Sequence, residues 1–103
     1  ADFIEKVTET GVNNWLVPNA QKNEMEPMLI ELNPNSETIE DVPHEGEEFG
    51  YVLAGEITIK YGAKKYACKK GESFYFKSDK PHYIINKKDK VAKFLWVSTP
   101  PTF

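Results

Sequence analysis

Glu56-Ile57-Thr58-Ile59-Lys60-Tyr61-Gly62-Ala63-Lys64-Lys65-Tyr66-Ala67-Cys68 decides the fold class. Polar and apolar residues alternate from Glu56 to Lys60, so Ile57 and Ile59 share one face, as in a half-buried strand. Tyr61-Gly62-Ala63-Lys64 predicts a tight hairpin turn, with Gly62 supplying positive φ, and Lys65 to Cys68 returns. Outward from this hairpin the strand period continues. It predicts strands at Phe3–Thr8, Trp15–Val17, Met28–Leu32, Glu37–Glu40, Glu48–Leu53, Glu56–Tyr61, Lys64–Cys68, Ser73–Phe76, His82–Asn86 and Ala92–Ser98. Gly11, Pro18, Pro34, Pro43, Gly55, Gly62, Gly71, Pro81 and Pro100 mark the turns. Asn19–Glu26 is the one segment with room for a helical turn. About ten short strands would leave exposed edges in one open sheet. The expectation is all-β: two facing antiparallel sheets or a closed barrel.

The 103 residues predict one domain, 1–103. Its barrel core is expected over 28–98, with the N-terminal strands of 1–20 at the barrel edge or a dimer interface. No apolar run reaches the ~20 residues that span a bilayer, so no membrane partner is expected. The start Ala1-Asp2-Phe3-Ile4-Glu5 is acidic and has no signal-peptide pattern. Its lack of a methionine suggests a piece of a longer protein. Cys68 is the single cysteine, which rules out an internal disulfide and fits a reducing, cytoplasmic compartment.

Charge is divided along the chain. Residues 1–59 carry 13 acidic side chains and 2 lysines, and residues 60–103 carry 11 lysines and 3 acidic side chains. Two readings are open: acidic strands paired beside lysine-bearing ones, or a functional dipole. All 13 basic residues are lysine. Direct base or phosphate reading favours the bidentate fork of arginine, so direct DNA contact is not expected of this domain.

The two histidines stand in patterns that chemistry can use. His44 opens His44-Glu45-Gly46-Glu47-Glu48, with six further residues between Glu48 and Gly55. Gly71 is followed after ten residues by His82, and after three more by Asn86. Strand alternation puts Glu48 on the face of Gly50 and Val52, and His82 on the face of Ile84 and Asn86, so the trio can converge inside a barrel. Two imidazoles and a carboxylate suit iron(II), and zinc or manganese with water completing the shell. They equally suit a polar pocket, or histidines satisfied by hydrogen bonds to Glu48 and Asn86.

Together these two motifs resemble those of the cupin family, over essentially the whole chain from about Trp15. The resemblance implies a double-stranded β-helix, the jelly-roll barrel of two antiparallel sheets. It assigns His44, Glu48 and His82 to three of the four metal-ligand positions and Asn86 to the end of the second motif. Two positions depart. Val42 stands where the first motif has its first histidine, which removes a ligand and puts a methyl-bearing side chain where an imidazole would be. Lys77-Ser78-Asp79 replaces a Pro-x-Gly turn, a mild change because Asp also favours turns.

The phrases around the motifs, from Pro27 to Leu32, His44 to Gly55, Lys70 to Phe76 and Thr99 to Phe103, resemble the C-terminal cupin domain of bacterial helix-turn-helix regulators of the XRE type. That implies a small-molecule effector, a homodimer, and DNA contact only through a separate N-terminal domain absent from this chain. Glu48 with neutral His44 and His82 suits an amine or ammonium, so polyamines and amino acids are the candidate ligands. Tyr51, Tyr75, Tyr83 and Trp96 are expected either to line the pocket or to fill the core. Glu45 and Glu47 are expected to make the mouth negative, or to be a solvated loop. Three function classes stand: a non-enzymatic sensor without catalytic residues or a resident cofactor, a small metal-dependent enzyme of dioxygenase or isomerase type, and a domain with a vestigial pocket that only dimerises.

Overall fold

The structure, a computed structural model, describes residues 4–17 and 23–100. Ten strands run in the order β1 (Ile4–Val7), β2 (Gly11–Trp15), β3 (Glu26–Leu32), β4 (Ser36–Glu37), β5 (Glu47–Ala54), β6 (Glu56–Tyr61), β7 (Lys64–Lys69), β8 (Ser73–Lys77), β9 (His82–Asn86) and β10 (Ala92–Thr99). All pairings are antiparallel. One sheet has the order β1-β2-β3-β10-β5-β8 and the other β4-β9-β6-β7. This is the expected all-β jelly roll, and no helix occurs among the described residues.

The hairpin that fixed the fold class forms as read. Tyr61 pairs with Lys64, and Gly62 sits at φ 58°. Ile57 and Ile59 are both buried. The strands from β5 to β10 fall within a residue or two of expectation, because one clean alternation governs each. Two earlier strands shift. β2 lies at Gly11–Trp15, so Gly11 begins a strand rather than marking a turn. β4 shrinks to Ser36–Glu37. The helical turn expected over Asn19–Glu26 gives way at its end to β3, which starts at Glu26; residues 19–22, like Phe3, Pro18 and the final 101–103, lie outside the described residues.

The core lies between the sheets. Ile30, Leu32, Val52, Ile57, Ile59, Ile84, Ala92 and Phe94 are buried, with Met28 and Trp96 toward one end. Gly50 has a steric reason. A Cβ there would lie 2.0 Å from the Phe74 ring, its partner across β5 and β8, so only glycine lets Phe74 fold inward. The charge division resolves in part into cross-strand pairing. Lys93 lies opposite Glu31 with their charged groups 3.7 Å apart, Lys77 opposite Glu47, and Lys69 opposite Glu56.

Candidate functional site

At one end of the barrel the inner face turns polar. The registers of β3, β10, β5 and β8 put Glu26, Ser98, Glu48 and Phe76 in one cross-strand row. Glu48 sits at its centre, 1% exposed. Its Oε1 accepts the Trp96 indole N–H at 2.7 Å and the Ser98 hydroxyl at 3.2 Å. Its Oε2 accepts the Ser78 hydroxyl at 2.8 Å. Ser78 comes from the stretch that reads in sequence only as a turn, and it is buried.

His82 opens β9 from the facing sheet and is wholly buried. Its Nδ1 donates to the Lys80 carbonyl at 2.8 Å, and its Nε2 lies 2.5 Å from Glu48 Oε2 and 3.4 Å from Asp41 Oδ2. His44 repeats the arrangement from the loop before β5. Its Nδ1 donates to the Glu45 carbonyl at 2.9 Å, and its Nε2 is 3.6 Å from Glu48 Oε2. A carbonyl oxygen only accepts, so both rings carry their proton on Nδ1 and turn Nε2 toward the carboxylate. Neither Nε2 makes a well-aligned hydrogen bond. In a neutral ring each Nε2 would present a lone pair to an anion, and only a proton or another cation relieves that conflict.

For His82 the structure supplies the proton. Burial works to lower its pKa, but the contacts with the Asp41 and Glu48 carboxylates and the hydrogen bond to the Lys80 carbonyl outweigh it and raise the imidazole to about 10. Burial likewise works to raise Glu48, and the His82, Ser78 and Trp96 contacts outweigh it and hold the carboxyl below its ordinary value. The pair is therefore an internal ion pair, imidazolium on carboxylate.

The donor set also fits a metal ion. One ligand atom from each of His44, Glu48 and His82 lies within 4.8 Å of the others. Fixing Nδ1 on a backbone carbonyl is how proteins aim Nε2 at a metal. Two donors of one tetrahedral ion stand about 3.4 Å apart. The His44–Glu48 spacing already suits that, whereas the His82–Glu48 contact would have to open and lose its proton.

The structure brings His44, Glu48, His82 and Trp96 together and separates the other expected residues. Tyr51 and Tyr75 are corrected to the outer face of the large sheet. Tyr51 stands three residues from inward-facing Glu48, and Tyr75 is the register partner of outward-facing Phe49; Tyr75 is 58% exposed and donates its hydroxyl to Glu47. Glu47 thus serves that outer face, and Glu45 holds His44 through its carbonyl. Asn86 is buried at the far end of β9, where its amide donates to the carbonyls of Leu32, Asn33 and Lys90 and its oxygen accepts from the Lys88 N–H. It braces the loop between β9 and β10 rather than a histidine. Val42 is corrected as well: its side chain points to solvent, 76% exposed, and fills no ligand position.

Asp41, Ser78, Ser98 and Glu26 went unread in the sequence. Glu26 is buried and accepts the Trp15 indole N–H at 2.7 Å, mirroring Glu48 and Trp96. Alternation back from Met28 was the available signal for Glu26; nothing in the sequence marked Ser78. A cavity of about 310 Å³ lies beside the site, with Trp96 and Asp41, which contact Glu48 and His82, among its walls together with Ile30, Asn13 and Thr38. A larger cleft, about 650 Å³, opens between the free edges of β7 and β8. Phe76 is the wall between that cleft and His82, their ring centroids 5.0 Å apart.

A jelly roll with two histidines and a glutamate converging inside is the architecture of a cupin. The chain belongs to that family: the Cupin domain model matches residues 28–98. It is 33% identical over 103 residues to the HTH-type transcriptional regulator PuuR of Escherichia coli K12, a match covering 99% of this chain and 55% of that protein. The chain thus spans about half the length of the curated relatives it matches. Among solved structures it resembles the Cupin_2 domain of an XRE family transcriptional regulator from Enterobacter cloacae, with a TM-score of 0.79 and 24% identity over 91% of this chain and all of that one. It also resembles hydroxypropylphosphonic acid epoxidase from S. wedmorenis, with a TM-score of 0.78 and 25% identity over 93% of this chain and 55% of that one.

Proposed function

We propose that this chain is the effector-sensing and dimerising part of a helix-turn-helix transcriptional regulator, with DNA contact left to a separate domain. Its ligand is a small molecule carrying an amine or ammonium group, a polyamine or an amino acid, seated in the 310 Å³ cavity. The observation that carries this reading is Glu48, a buried carboxylate fixed by three side-chain donors and faced by two imidazoles whose Nε2 atoms lack aligned partners. An ammonium donates to the carboxylate and to an imidazole Nε2 in its unprotonated form; at His82 it has to displace the ring proton, as a metal does. The regulator relatives support the same reading. The test is thermal unfolding of the chain with a panel of polyamines and amino acids. A ligand at a hundredfold excess over its Kd adds about 2.7 kcal/mol, which is of order 10 °C for a domain this size. Absence of any shift, together with metal-dependent turnover of a substrate, would overturn it.

The second reading is a metal-dependent cupin enzyme. It is favoured by the two locked Nδ1 atoms and by the likeness to an epoxidase. In it His44, Glu48 and His82 hold the ion, which supplies Lewis acidity and open positions for substrate. Elemental analysis of the purified chain and thermal shifts with iron, zinc and manganese separate the two readings.

Dimerisation rests on the outer face of the large sheet, not only on the N-terminal edge strand. Pro27, Val97, Phe49 and Tyr75 form one cross-strand row, and Leu29, Leu95 and Tyr51 the next, with Leu53 alongside. Phe49, Tyr51, Leu53 and Tyr75 are exposed, and no charge interrupts the rows. A monomer seldom leaves so continuous an apolar face to water. Two apolar rows flanked by the oppositely charged Glu31–Lys93 and Glu47–Lys77 pairs can be self-complementary about a two-fold axis, which fits a second copy. Phe49→Asp is expected to turn a dimer into a monomer in light scattering; an unchanged mass removes this face from the interface.

A further inference from the structure

Asp41 and His82 exchange both backbone hydrogen bonds across an isolated bridge, the Asp41 N–H donating to the His82 carbonyl at 2.8 Å and the His82 N–H to the Asp41 carbonyl at 3.2 Å. Directly opposed residues in an antiparallel pair put their side chains on the same side of the sheet. His82 points into the barrel, so Asp41 does too, and its carboxylate reaches to 3.4 Å from the His82 Nε2. Alternation then sends the next residue outward, which is where Val42 lies. Position 42 is therefore not a ligand position that lost its donor. In this chain it faces solvent, and the inward place beside His82 belongs to position 41. Pro43, which has no N–H to continue the pairing, separates this bridge from His44.

Asp41 also lines the neighbouring cavity, with Glu9 and Glu31 as its other acidic residues and with Trp96, whose indole holds Glu48. Asp41 and Trp96 thus each touch both the cavity and the Glu48–His82 cluster. The second observation pointing to a ligand is the convergence of one donor atom from each of His44, Glu48 and His82 within 4.8 Å, with the His44 Nε2 buried and lacking a hydrogen bond.

We propose that Asp41 is the fourth cation-contacting residue of this barrel, taking over by a one-residue slip the part that position 42 does not play. The inference rests on the cation-site reading above and deepens it. The site would then hold two carboxylates and two imidazoles, a set that neutralises a divalent metal ion or the ammonium of an amine. Asp41 stands at the mouth, on a side chain partly open to solvent, so it closes on the cation from the cavity side while Glu48 stays fixed.

The test is calorimetric titration of the 103-residue chain with cobalt(II) and, separately, with spermidine, with the cobalt absorption spectrum as a second readout. The wild-type chain is expected to bind at least one probe, and Glu48→Gln to abolish that binding. Asp41→Asn keeps the backbone bridge and is expected to weaken the bound probe about 10–100-fold, the scale of losing a supporting group at such a site. Asp41→His separates the sources: it retains cobalt affinity and alters the cobalt spectrum if a metal is the cation, and loses spermidine if an ammonium is. Val42→His is expected to change neither affinity by more than about twofold, because that side chain faces water. Asp41→Asn binding as the wild type does, with Glu48→Gln still inactive, overturns the part given to Asp41 and leaves the cation site standing. A wild-type chain that binds neither probe overturns both.

Discussion

The two ends of the barrel interior are equally buried and differently built. At one end Ile30, Leu32, Val52, Ile84 and Phe94 fill space without a polar atom. At the other, Glu26, Ser98, Glu48, Ser78 and His82 are as deep, held by hydrogen bonds and, at the His82 Nε2, by the ion pair with Glu48. Burial is favourable by itself at the first end and has to be compensated at the second. The apolar end is where stability comes from. The polar end is where stability can be exchanged for a ligand, because its contacts are ones a ligand can replace.

The sharpest break of that comparison is Phe94→Ala. It should cost about 3–5 kcal/mol in chemical denaturation, while the folded fraction keeps its ligand affinity. Glu48→Ala should come next, at about 3 kcal/mol, because it strands the Trp96 and Ser78 donors and leaves His82 without its counter-charge; unlike Phe94→Ala it should also abolish ligand binding. Asn86→Ala should cost about 1–3 kcal/mol by orphaning the Leu32 and Lys90 carbonyls. Titration should show its affinity unchanged, since Asn86 lies away from the trio. If Asn86→Ala loses ligand as Glu48→Ala does, the division between the two ends is wrong.

A further difference is a pH dependence confined to the polar end. The His82 pKa is raised, so its contribution is full below the ordinary histidine value and fades as pH rises toward about 10. The Glu48 pKa is lowered, so its contribution is present above the ordinary carboxyl value and is lost as pH falls below it. Melting temperature without ligand should therefore be highest near pH 5 to 6 and decline on both sides. A metal must displace the His82 proton, so its affinity should rise with pH over the range where that stability falls. Replacing His82 with Gln should flatten the alkaline decline, and a decline that persists would place its origin elsewhere.

What could be read in the sequence follows the same division. Strands β5 to β10 were legible because packing imposes a strict two-residue period on Val52, Ile57, Ile59, Ile84 and Phe94. β2 was misplaced because Gly11, Asn13 and Asn14 have little strand preference, and its pairing with β3 is decided by tertiary context. His44, Glu48 and His82 were legible because few residue types can do their chemistry and their spacing is distinctive. Asp41 and Ser78 were not, since their direction depends on how loops enter the barrel. Tyr51 was misjudged although the signal existed: an inward Glu48 forces a residue three positions on to face outward.

The alternation of early and late strands in the large sheet, β3 beside β10 and β10 beside β5, has a kinetic consequence. Within each half neighbouring strands can pair, β1-β2-β3 in the first and β9-β6-β7 in the second, but the large sheet is completed only when β10 docks between β3 and β5, a contact distant in sequence of the class that folds in milliseconds to seconds. The acidic first half and the lysine-rich second half attract one another before any strand has formed. Collapse should thus be guided electrostatically, and salt that screens charges beyond about 10 Å should slow folding more than it lowers final stability.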